Sequence, residues 1–548
     1  MNKGIVILKK QWRHVFVYVL CLVIFSPFGT PAFSAHEAGE LHFDIHEIQI
    51  RGNSLLPDQA LGDVTSVFTG PGKTAADVEK ARLAVEKTYR EWGYPTVLVN
   101  IPDQNASDGV ILLDVVEGRI RHVRINGNRF FTMGKIARDL PIFAPGEILY
   151  LPDAKKQLNK INMNPDLKVK PVLIPGKEPG TVDVELNVSD KLPLHGSLEL
   201  NNRSSHNTSE LRVNGVIHYD NLWQKEHSLS VQFQTAPKEP DEAQALSLSY
   251  LIHAPWNYNH LVAAYGVFSD SQVAFGEGFM VKGKGHMGGL RYVMPLKGSE
   301  VFTHNVTLGI DYKKFKDVLF FGGADATTDV TPVSYVPLSF VYQAARMNTD
   351  SKITCNAGLT LVPRGMAMDV AEYENKRFKA RGNPVILKAG MEYAAGLPHG
   401  FGLNIKIDGQ ITDQPLVANE QYSAGGMESV RGYKESEESG DNAVFGSFEI
   451  ATPEWVRFFG SDTNEGETPS PSRYKFRPYA FYDLAYLSNR TLLAVEDQPG
   501  MIQATGLGFR GYLTRYFVYE CDWGLALNRT DKTEARDSRV YFRAKWAF

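Results

Sequence analysis

Long apolar runs, cysteine and surplus positive charge are what this chain of 548 residues has little of. Beyond the N-terminus no apolar run reaches the roughly 20 residues that a membrane-spanning helix needs, which excludes a helical membrane bundle. Only three cysteines occur, without CxxC or Cys/His zinc spacing, so we predict no disulfide framework, no metal site and no cofactor. Lys and Arg number 58 against 62 Asp and Glu, and this balance excludes a nucleic-acid-binding surface.

The N-terminus has the three-part order of a secretory signal peptide. Basic residues precede an apolar stretch at Val15–Phe25, and a small-residue site follows at Ala32–Ala35. The apolar stretch is too short to cross a bilayer as a helix. We therefore expect residues 1–34 to be a signal peptide that is cleaved after Ser34, and a retained membrane anchor is the alternative.

An internal repeat follows the signal. The segment Ile48–Asn53 recurs 75 positions later as Val123–Asn128, and each copy is a strand-like run that ends in the turn signal Gly-Asn. Helix-like stretches follow each copy, and two strand-like runs close it. Because the order of elements repeats together with the residues, we predict two α+β units of β-α-α-β-β order, at residues 43–118 and 119–190.

The helices of these units have recognisable ends. Thr74 is an N-cap residue for a helix that reaches Trp92. Pro152 stands in the first turn of a shorter helix that ends near Ile161. The predicted closing strands are Thr96–Ile101 and Val110–Glu117 in the first unit, and Leu167–Ile174 and Thr181–Val188 in the second.

Sixteen segments of alternating apolar and polar residues fill the chain from about Leu194 to its end. Their connections alternate between short and long, which is typical of an antiparallel transmembrane β-barrel with short periplasmic turns. We therefore predict a 16-stranded barrel over residues 194–548. A soluble β-sandwich also alternates, but the strand number and the connector lengths disfavour it. Phe320–Pro332 is predicted as an outer loop, whereas Arg457–Arg473 is too long for a periplasmic turn.

The last strand, Ser538–Phe548, shows the alternation most clearly. One face is apolar and ends on Trp546 and Phe548, and the other face is charged. An apolar outer face and a charged inner face are what a strand of a membrane barrel requires. Its partner has to be the strand that begins near Leu194, because an unpaired strand edge in lipid is prohibitive. The charged residues that we expect in the lumen are Arg539, Arg543 and Lys545.

Several short motifs resemble those of polypeptide-transport-associated (POTRA) domains and of the two-partner secretion transporters within the Omp85 superfamily. They are specific only together, and they are Gly93–Tyr94, Ile101–Gln104, Asp108–Gly109, Val115–Gly118, Asn164–Leu167 and Pro175–Gly180. The resemblance implies a pair of periplasmic POTRA domains followed by a barrel in the outer membrane of a Gram-negative bacterium. In such proteins a terminal aromatic residue, here Phe548 with Trp546, resembles the signal that the barrel insertion machinery reads.

A long loop-like stretch at residues 414–442 carries the sequence Val430-Arg431-Gly432-Tyr433 after two adjacent glycines, which permit a sharp turn. In the Omp85 superfamily this motif lies at the tip of a loop folded back into the barrel. There its arginine meets an acidic residue in a Phe-x-Asp-x-Gly-like motif. This chain offers Phe481–Ala485, with alanine in place of the usual glycine. The resemblance therefore implies a re-entrant loop and an Arg431–Asp483 pair.

A guanidinium can grip a carboxylate through two charge-assisted hydrogen bonds, which fix orientation as well as distance. We interpret the implied pair as a latch on a mobile loop, with a static strut as the alternative. Glu449, in the following strand, is a further candidate acid of the barrel wall. The acidic run of the loop is predicted to be a solvated rim, and it consists of Glu435, Glu437 and Glu438.

Many two-partner secretion transporters begin with a plug helix and a linker. Only residues 35–42 separate the expected cleavage site from Phe43, too few for both. We therefore predict a pore without that plug, in which the re-entrant loop is the main obstruction.

The resemblance implies an exporter, not an enzyme, whose partner is an unfolded secreted exoprotein (TpsA-like). An exposed edge of the POTRA sheets would bind this client, and the barrel, a monomer surrounded by outer-membrane lipid, would pass it outward. No GxxxxGK[ST] motif occurs, so transport has to draw on folding of the client outside. The alternatives are an Omp85-type assembly factor for other barrels and a hydrolase, but a GxSxG motif is missing.

Overall fold

The computed structural model describes residues 42–206, 208–271, 283–321, 327–367, 370–462, 470–492 and 497–548. The predicted signal peptide, residues 1–34, lies outside these ranges. Of residues 35–42, on which the prediction of a pore without a plug rests, only residue 42 is described. Two compact units are present. The first holds the described residues up to Arg119 together with Ile148–Leu151 and Gly176–Thr181, and the second holds the remainder.

The first repeat has the predicted β-α-α-β-β order and one additional strand pair. Its elements are β1 Phe43–Ile45, β2 Glu47–Arg51, α1 Asp58–Thr65, β3 Gly70–Lys73, α2 Ala75–Glu91, β4 Val97–Asn100 and β5 Val110–Glu117. Strand β5 pairs parallel with β2 and antiparallel with β4, and β1 pairs with β3. As predicted, Thr74 caps α2, in a reciprocal capping box with Asp77. The buried face of α2, including Val85 and Tyr89, packs on the sheet.

The second repeat has the same order. Its elements are β6 Arg119–Asn126, α3 Met133–Asp139, α4 Leu151–Asn162, β7 Leu167–Pro175 and β8 Thr181–Asp190. The sheet order is β6-β8-β7, so β6 and β7 are its edges. Among the described residues, no helix combines the length and the hydropathy that a membrane-spanning helix needs. Short 3₁₀ turns lie at Ser66–Phe68, Pro141–Phe143, Pro240–Glu242 and Pro398–Gly400.

The rest of the chain forms strands and one short helix, α5 Val370–Lys376. The strands are β9 Leu194–Asn201, β10 Arg212–Leu222, β11 His227–Thr235, β12 Ala243–Ala254, β13 Asn257–Ser271, β14 Gly283–Pro295, β15 Phe302–Phe321, β16 Thr327–Tyr335, β17 Leu338–Met347, β18 Ser351–Leu361, β19 Val385–Gly396, β20 Gly402–Thr412, β21 Tyr422–Ala424, β22 Glu438–Gly440, β23 Asn442–Ala451, β24 Trp455–Asp462, β25 Ser470–Ser488, β26 Gly500–Thr514, β27 Phe517–Ala526 and β28 Ser538–Ala547.

Sixteen of these strands, all except β16, β21, β22 and β24, close into an antiparallel barrel. This confirms the predicted architecture. The alternation predicted from the sequence is visible in the wall. On β12, Leu246 and Leu248 are 48% and 52% exposed, whereas Ser247 between them is 3% exposed. Apolar side chains therefore face outward and polar side chains face the lumen, as a barrel in lipid requires.

Two hairpins extend the wall where the connector lengths are irregular. Strand β16 pairs with Lys313–Phe321 of β15, while the first half of β15 pairs with β17. The prediction of a loop at Phe320–Pro332 is therefore wrong for most of its length, because backbone pairing continues beyond the barrel wall. Strand β24 pairs with Ser470–Phe476 of β25, which explains the long connection at Arg457–Arg473 as a hairpin.

The barrel closes where β9 meets β28, as the sequence predicts, and the pairing spans five residue pairs. Beyond the last of these pairs, the side chain of Asn202 takes the place of strand backbone. Its Oδ1 accepts from the Phe542 N–H at 2.9 Å, and its Nδ2 donates to the Val540 carbonyl at 2.7 Å. At the other end of the seam, Phe548 and Gly196 exchange two backbone hydrogen bonds. The terminal residue is thus part of the closure.

We predict that Asn202→Leu weakens this seam. The substitution leaves the Phe542 N–H and the Val540 carbonyl without partners, at a cost of about 1–3 kcal/mol for each buried group. The temperature at which the folded barrel loses its fast migration in SDS gels should fall. Asn202→Asp keeps the acceptor and loses the donor, so its transition temperature should lie between those of the unsubstituted protein and the leucine variant. An unchanged midpoint for the leucine variant would contradict this role.

Candidate functional site

The segment between β20 and β23 folds back into the barrel. Strands β21 and β22 pair with each other and form the base of an arm whose tip reaches the inner wall. Gly425 and Gly426 have φ values of +106° and +109°. A Cβ at Gly425 would lie 2.5 Å from the Glu437 Cβ, and one at Gly426 would lie 2.3 Å from the Glu435 carboxyl carbon. Only glycine fits both the backbone conformation and the space.

Arg431 lies at the tip of this arm and is 4% exposed. Its Nε and Nη2 donate to the two carboxylate oxygens of Asp483 at 2.7 and 2.8 Å. Its backbone N–H donates to Asp483 Oδ2 at 3.1 Å. Its Nη1 donates to Glu449 Oε1 at 2.7 Å. The structure thus brings together the arginine and both acids that the sequence singled out, in a bidentate geometry.

The neighbours of this pair complete its hydrogen bonding. Ser447 Oγ donates to Asp483 Oδ1 at 2.6 Å and accepts from Arg431 Nη2 at 3.2 Å. Arg510, which the sequence did not single out, donates from Nη2 to Glu449 Oε2 at 2.7 Å. The guanidinium carbon of Arg431 lies 3.5 Å from the ring centre of Phe481, a cation–π contact. The arginine is held at its edge by carboxylates and on its face by an aromatic ring.

A third carboxylate lies beside the pair. Asp522 Oδ2 is 3.7 Å from Arg431 Nη1, and within the described residues this buried oxygen has no hydrogen-bond partner. The other oxygen of Asp522 accepts from the Tyr479 hydroxyl. A small rotation of the arginine would therefore bring it to a new acceptor. The only sequence signal for Asp522 is its even spacing from Glu520, on the inner face of its strand.

The residues beside Arg431 fit closely against the wall. Gly432 has a φ of +103° and packs on the backbone of β27, where a Cβ at Gly524 would lie 2.6 Å from the Gly432 nitrogen. Val430 is fully buried in an apolar cluster that includes Ala485. The alanine that replaces the usual glycine is therefore part of the packing under the tip.

Tyr433 joins the tip to two further strands and a loop. Its hydroxyl lies 3.0 Å from the Gln503 carbonyl and 2.8 Å from the Asn528 carbonyl, and it accepts from the Asn528 N–H at 3.1 Å. The hydroxyl of Tyr541 donates to the Tyr433 carbonyl. Tyr541 belongs to β28, so the tip is bonded to a strand of the closing seam.

The acidic run of the loop is not a solvated rim, which corrects the prediction for two of its members. Glu435 and Glu437 are 6% and 0% exposed. Arg203 Nε donates to Glu435 Oε1 at 3.0 Å, and Glu437 Oε2 lies 2.5 Å from His206 Nε2. Folding of the arm places these acids against the connection between β9 and β10. Glu438 is partly buried.

Glu420 anchors the base of the arm to another part of the wall, and the sequence carried no signal for it. Its Oε1 accepts from Lys313 Nζ and from the Tyr335 hydroxyl, both at 2.6 Å. Charged contacts therefore hold the re-entrant arm to the wall of β23 to β27, to the connection between β9 and β10, and to β15 with β16. On β28, Arg543 Nη1 lies 2.9 Å from Glu428 Oε1 of the arm.

Beside the arm the lumen keeps a cavity of about 1140 Å³. Neutral polar side chains of β10 to β12 line one side of it, including Asn214, Gln232 and Ser247. Arg543 and Lys545 line it from β28, as their places on the inner face predict. The lumen is thus partly open and polar rather than a packed core.

Two family comparisons match most of the chain. A sequence model of the haemolysin secretion/activation proteins ShlB/FhaC/HecB matches residues 180–511, and one of the ShlB-type POTRA domain matches residues 43–118. The chain belongs to the ShlB/FhaC/HecB family. It is a two-partner secretion transporter of the outer membrane, with its POTRA region on the periplasmic side.

One relative and two solved structures show what the chain is similar to. The outer membrane transporter CdiB of Dickeya dadantii (strain 3937) is 24% identical over 433 residues, which cover 75% of this chain and 73% of that protein. CdiB from Escherichia coli has a similar fold, with a TM-score of 0.56 and 18% identity over 95% of this chain and 93% of its own. BamA from Haemophilus ducreyi lacking POTRA domains 1–3 also reaches 0.56, with 15% identity over 92% of this chain and 100% of its own.

We predict that Gly524→Ala dislodges the tip of the arm. The added Cβ would lie 2.6 Å from the Gly432 nitrogen, which is backbone and cannot move aside alone. Hydrogen–deuterium exchange of the amides at residues 430–433 should become faster in the variant. Gly266→Ala is the matched control, because a Cβ at Gly266 meets no atom within 4 Å. Equal exchange in both variants would contradict the close packing inferred for the tip.

Proposed function

We propose that this transporter captures an unfolded exoprotein in the periplasm through its POTRA domains and secretes it through the barrel. The observation that carries the proposal is the Arg431–Asp483 pair, which holds the arm across the lumen at 2.7 and 2.8 Å. Secretion through the lumen requires the arm to move, so the pair acts as a latch. A static strut that only shapes the barrel is the competing interpretation.

Charged contacts suit a removable obstruction. A buried ion pair adds little net stability, because the desolvation of both charges offsets most of their attraction. The arm can therefore leave the wall at moderate cost when water or a client satisfies both partners together. Asp522, with one oxygen 3.7 Å from Arg431, offers an intermediate acceptor along that movement. An apolar anchor of equal area would be harder to release.

For capture we propose the edge strand β7 of the second POTRA domain. Val172, Leu173 and Ile174 are three consecutive apolar residues on it, each between 38% and 44% exposed. Among the described residues β7 pairs only with β8. An extended client segment can add to such an edge through main-chain hydrogen bonds, while alternate side chains meet the exposed apolar residues. Pro171 lies on the same strand and limits pairing between copies of the chain.

We further propose that the barrel works as a monomer without enzymatic activity. Trp546 on β28 and Phe548 directly after it are each 48% exposed. They are placed to contact outer-membrane lipid and, during biogenesis, to be read by the barrel insertion machinery.

We predict that Arg431→Ala reduces secretion of the client at least tenfold while the barrel stays folded in the membrane. Loss of one partner of a buried pair costs roughly 3–5 kcal/mol, so the arm would no longer hold the latched position from which we expect each round of secretion to start. The assay compares exoprotein in the medium with folded transporter in the membrane fraction. Arg431→Lys keeps the positive charge but loses the bidentate geometry of the guanidinium. Its secretion should lie between that of the unsubstituted protein and that of Arg431→Ala.

The control for this series is Arg529→Ala, because Arg529 is a 73% exposed arginine whose ion pair lies at the surface. Normal secretion by Arg431→Ala would eliminate the latch. Loss of the folded barrel itself would support the static strut instead.

A photo-cross-linking amino acid at Leu173 tests the capture edge and the function together. An exporter should trap one large secreted protein, whereas an assembly factor should trap many barrel proteins. Met163 is the matched control position, because it is 82% exposed but lies outside the strands. Equal trapping at both positions would rule out β7 as the capture edge.

A further inference from the structure

A cluster of two histidines and two aspartates lies where the second POTRA domain meets the first two barrel strands, and no function above uses it. From its geometry we propose a Zn²⁺ site with His195, Asp166 and Asp220 as ligands, beside which His218 contacts Asp220. The site would join the domain to the periplasmic mouth of the barrel. This inference does not depend on the proposed route of the client.

The distances suit a single small cation. His195 Nε2 lies 2.7 Å from Asp166 Oδ2 and 3.9 Å from Asp220 Oδ2. His218 Nδ1 lies 2.9 Å from Asp220 Oδ2. Ligand atoms of Asp166, His195 and Asp220 all lie within 4.8 Å of one another. Zinc bonds of about 2.0–2.2 Å in a tetrahedron place ligand atoms roughly 3.3–3.6 Å apart, so small side-chain shifts suffice.

The fold brings these ligands together from three segments. His195 on β9 and His218 on β10 are directly opposite each other, with ring centres 5.1 Å apart. Asp220 follows His218 by two residues and so shares its face of the strand. Asp166 comes from the turn between α4 and β7, where its carbonyl accepts from the Lys191 N–H at 2.9 Å. Such a set has no local spacing motif, which is why the sequence predicts no metal site.

The chemistry of the set favours Zn²⁺ over the hard cations. Imidazole suits zinc, whereas Ca²⁺ and Mg²⁺ prefer oxygen ligands throughout. Ser228 Oγ donates to Asp220 Oδ1 at 2.5 Å and leaves Oδ2 facing the histidines, the outer-shell hydrogen bond typical of metal ligands. The Asp166 side chain is 6% exposed, while those of His195 and Asp220 are 30% and 34% exposed. A cation can thus enter from the open side.

The same POTRA domain also forms hydrogen bonds with the turn between β10 and β11. Lys135, with its side chain 1% exposed, donates to Glu226 Oε1 at 2.7 Å. Burial acts to raise the pKa of Glu226, but hydrogen bonds from Lys135 and Tyr258 outweigh it and hold the pKa below its ordinary value. Arg138 Nη2 donates to the Gln224 carbonyl at 2.7 Å. Zinc at Asp166 would add a second attachment and fix how the domain sits on the barrel mouth.

The test is a Zn²⁺ titration of the tag-free, chelator-stripped, full-length protein in detergent micelles. We expect one equivalent to bind, and His195→Ala to weaken binding at least about tenfold, the loss that removal of an outer-shell partner alone can cause. His304→Ala is the control, since His304 bonds to Tyr342 and Lys297 away from the cluster. Co²⁺ in place of Zn²⁺ should show the visible absorption of tetrahedral coordination.

Each result decides the proposal. Saturable binding that His195→Ala or Asp220→Asn weakens and His304→Ala does not would support it. Absent binding, or equal affinity in all three variants, would overturn it and leave His195 as an ion-paired histidine. Asp166→Asn tests the link to the domain separately: weaker binding would support it, and unchanged affinity would overturn it. Gel migration of the folded barrel verifies each variant, and Asp220→Asn replaces His195→Ala if the latter fails to fold.

Discussion

The guanidinium of Arg431, buried in the barrel lumen, is the interaction on which the arrangement of the re-entrant arm depends. Burying a charge without a partner costs free energy. The arm is therefore stable only where Asp483 and Glu449 accept hydrogen bonds from all three guanidinium nitrogens. The direction of these bonds fixes the tip, and the tip then fixes Gly432 against β27 and Tyr433 against the outer connections. The obstruction of the lumen is therefore set by one directional contact rather than by general packing.

Closure of the barrel and position of the arm are physically connected. Backbone groups in lipid must find partners, and so β9 has to meet β28. The arm touches both sides of this seam, through the Tyr541 hydroxyl on β28 and through Arg203 just after β9. A displacement of the seam would therefore alter the hydrogen bonds of the arm. Release of the arm would in turn remove the hydrogen bonds that the arm makes to Tyr541 and Arg203.

Parts of the fold could be predicted because they depend on local periodicity. Helix α2 with its N-cap at Thr74, the inward face of β28 and the sixteen strands all follow from spacings of two or of three to four residues. The solvated rim was wrong because Glu435 and Glu437 look like surface residues until the arm folds inward. The loop expected at Phe320–Pro332 was wrong because two strands continue to pair beyond the wall, and pairing depends on the neighbour rather than on the segment alone.

By itself, the sequence determined the two α+β repeats, the barrel with its apolar outer face, and the resemblance that singled out Arg431 and Asp483. These features depend on the periodicity of apolar residues and on short motifs, both of which are visible along the chain. Only the tertiary structure decided that Asp483 and Glu449 both bond to Arg431 and that an oxygen of Asp522 lies 3.7 Å from it. It also decided that His195 contacts Asp166. Those contacts join residues far apart in the chain. Folding of the arm brings Arg431 to Asp522, and packing of the second POTRA domain on the barrel brings Asp166 to His195.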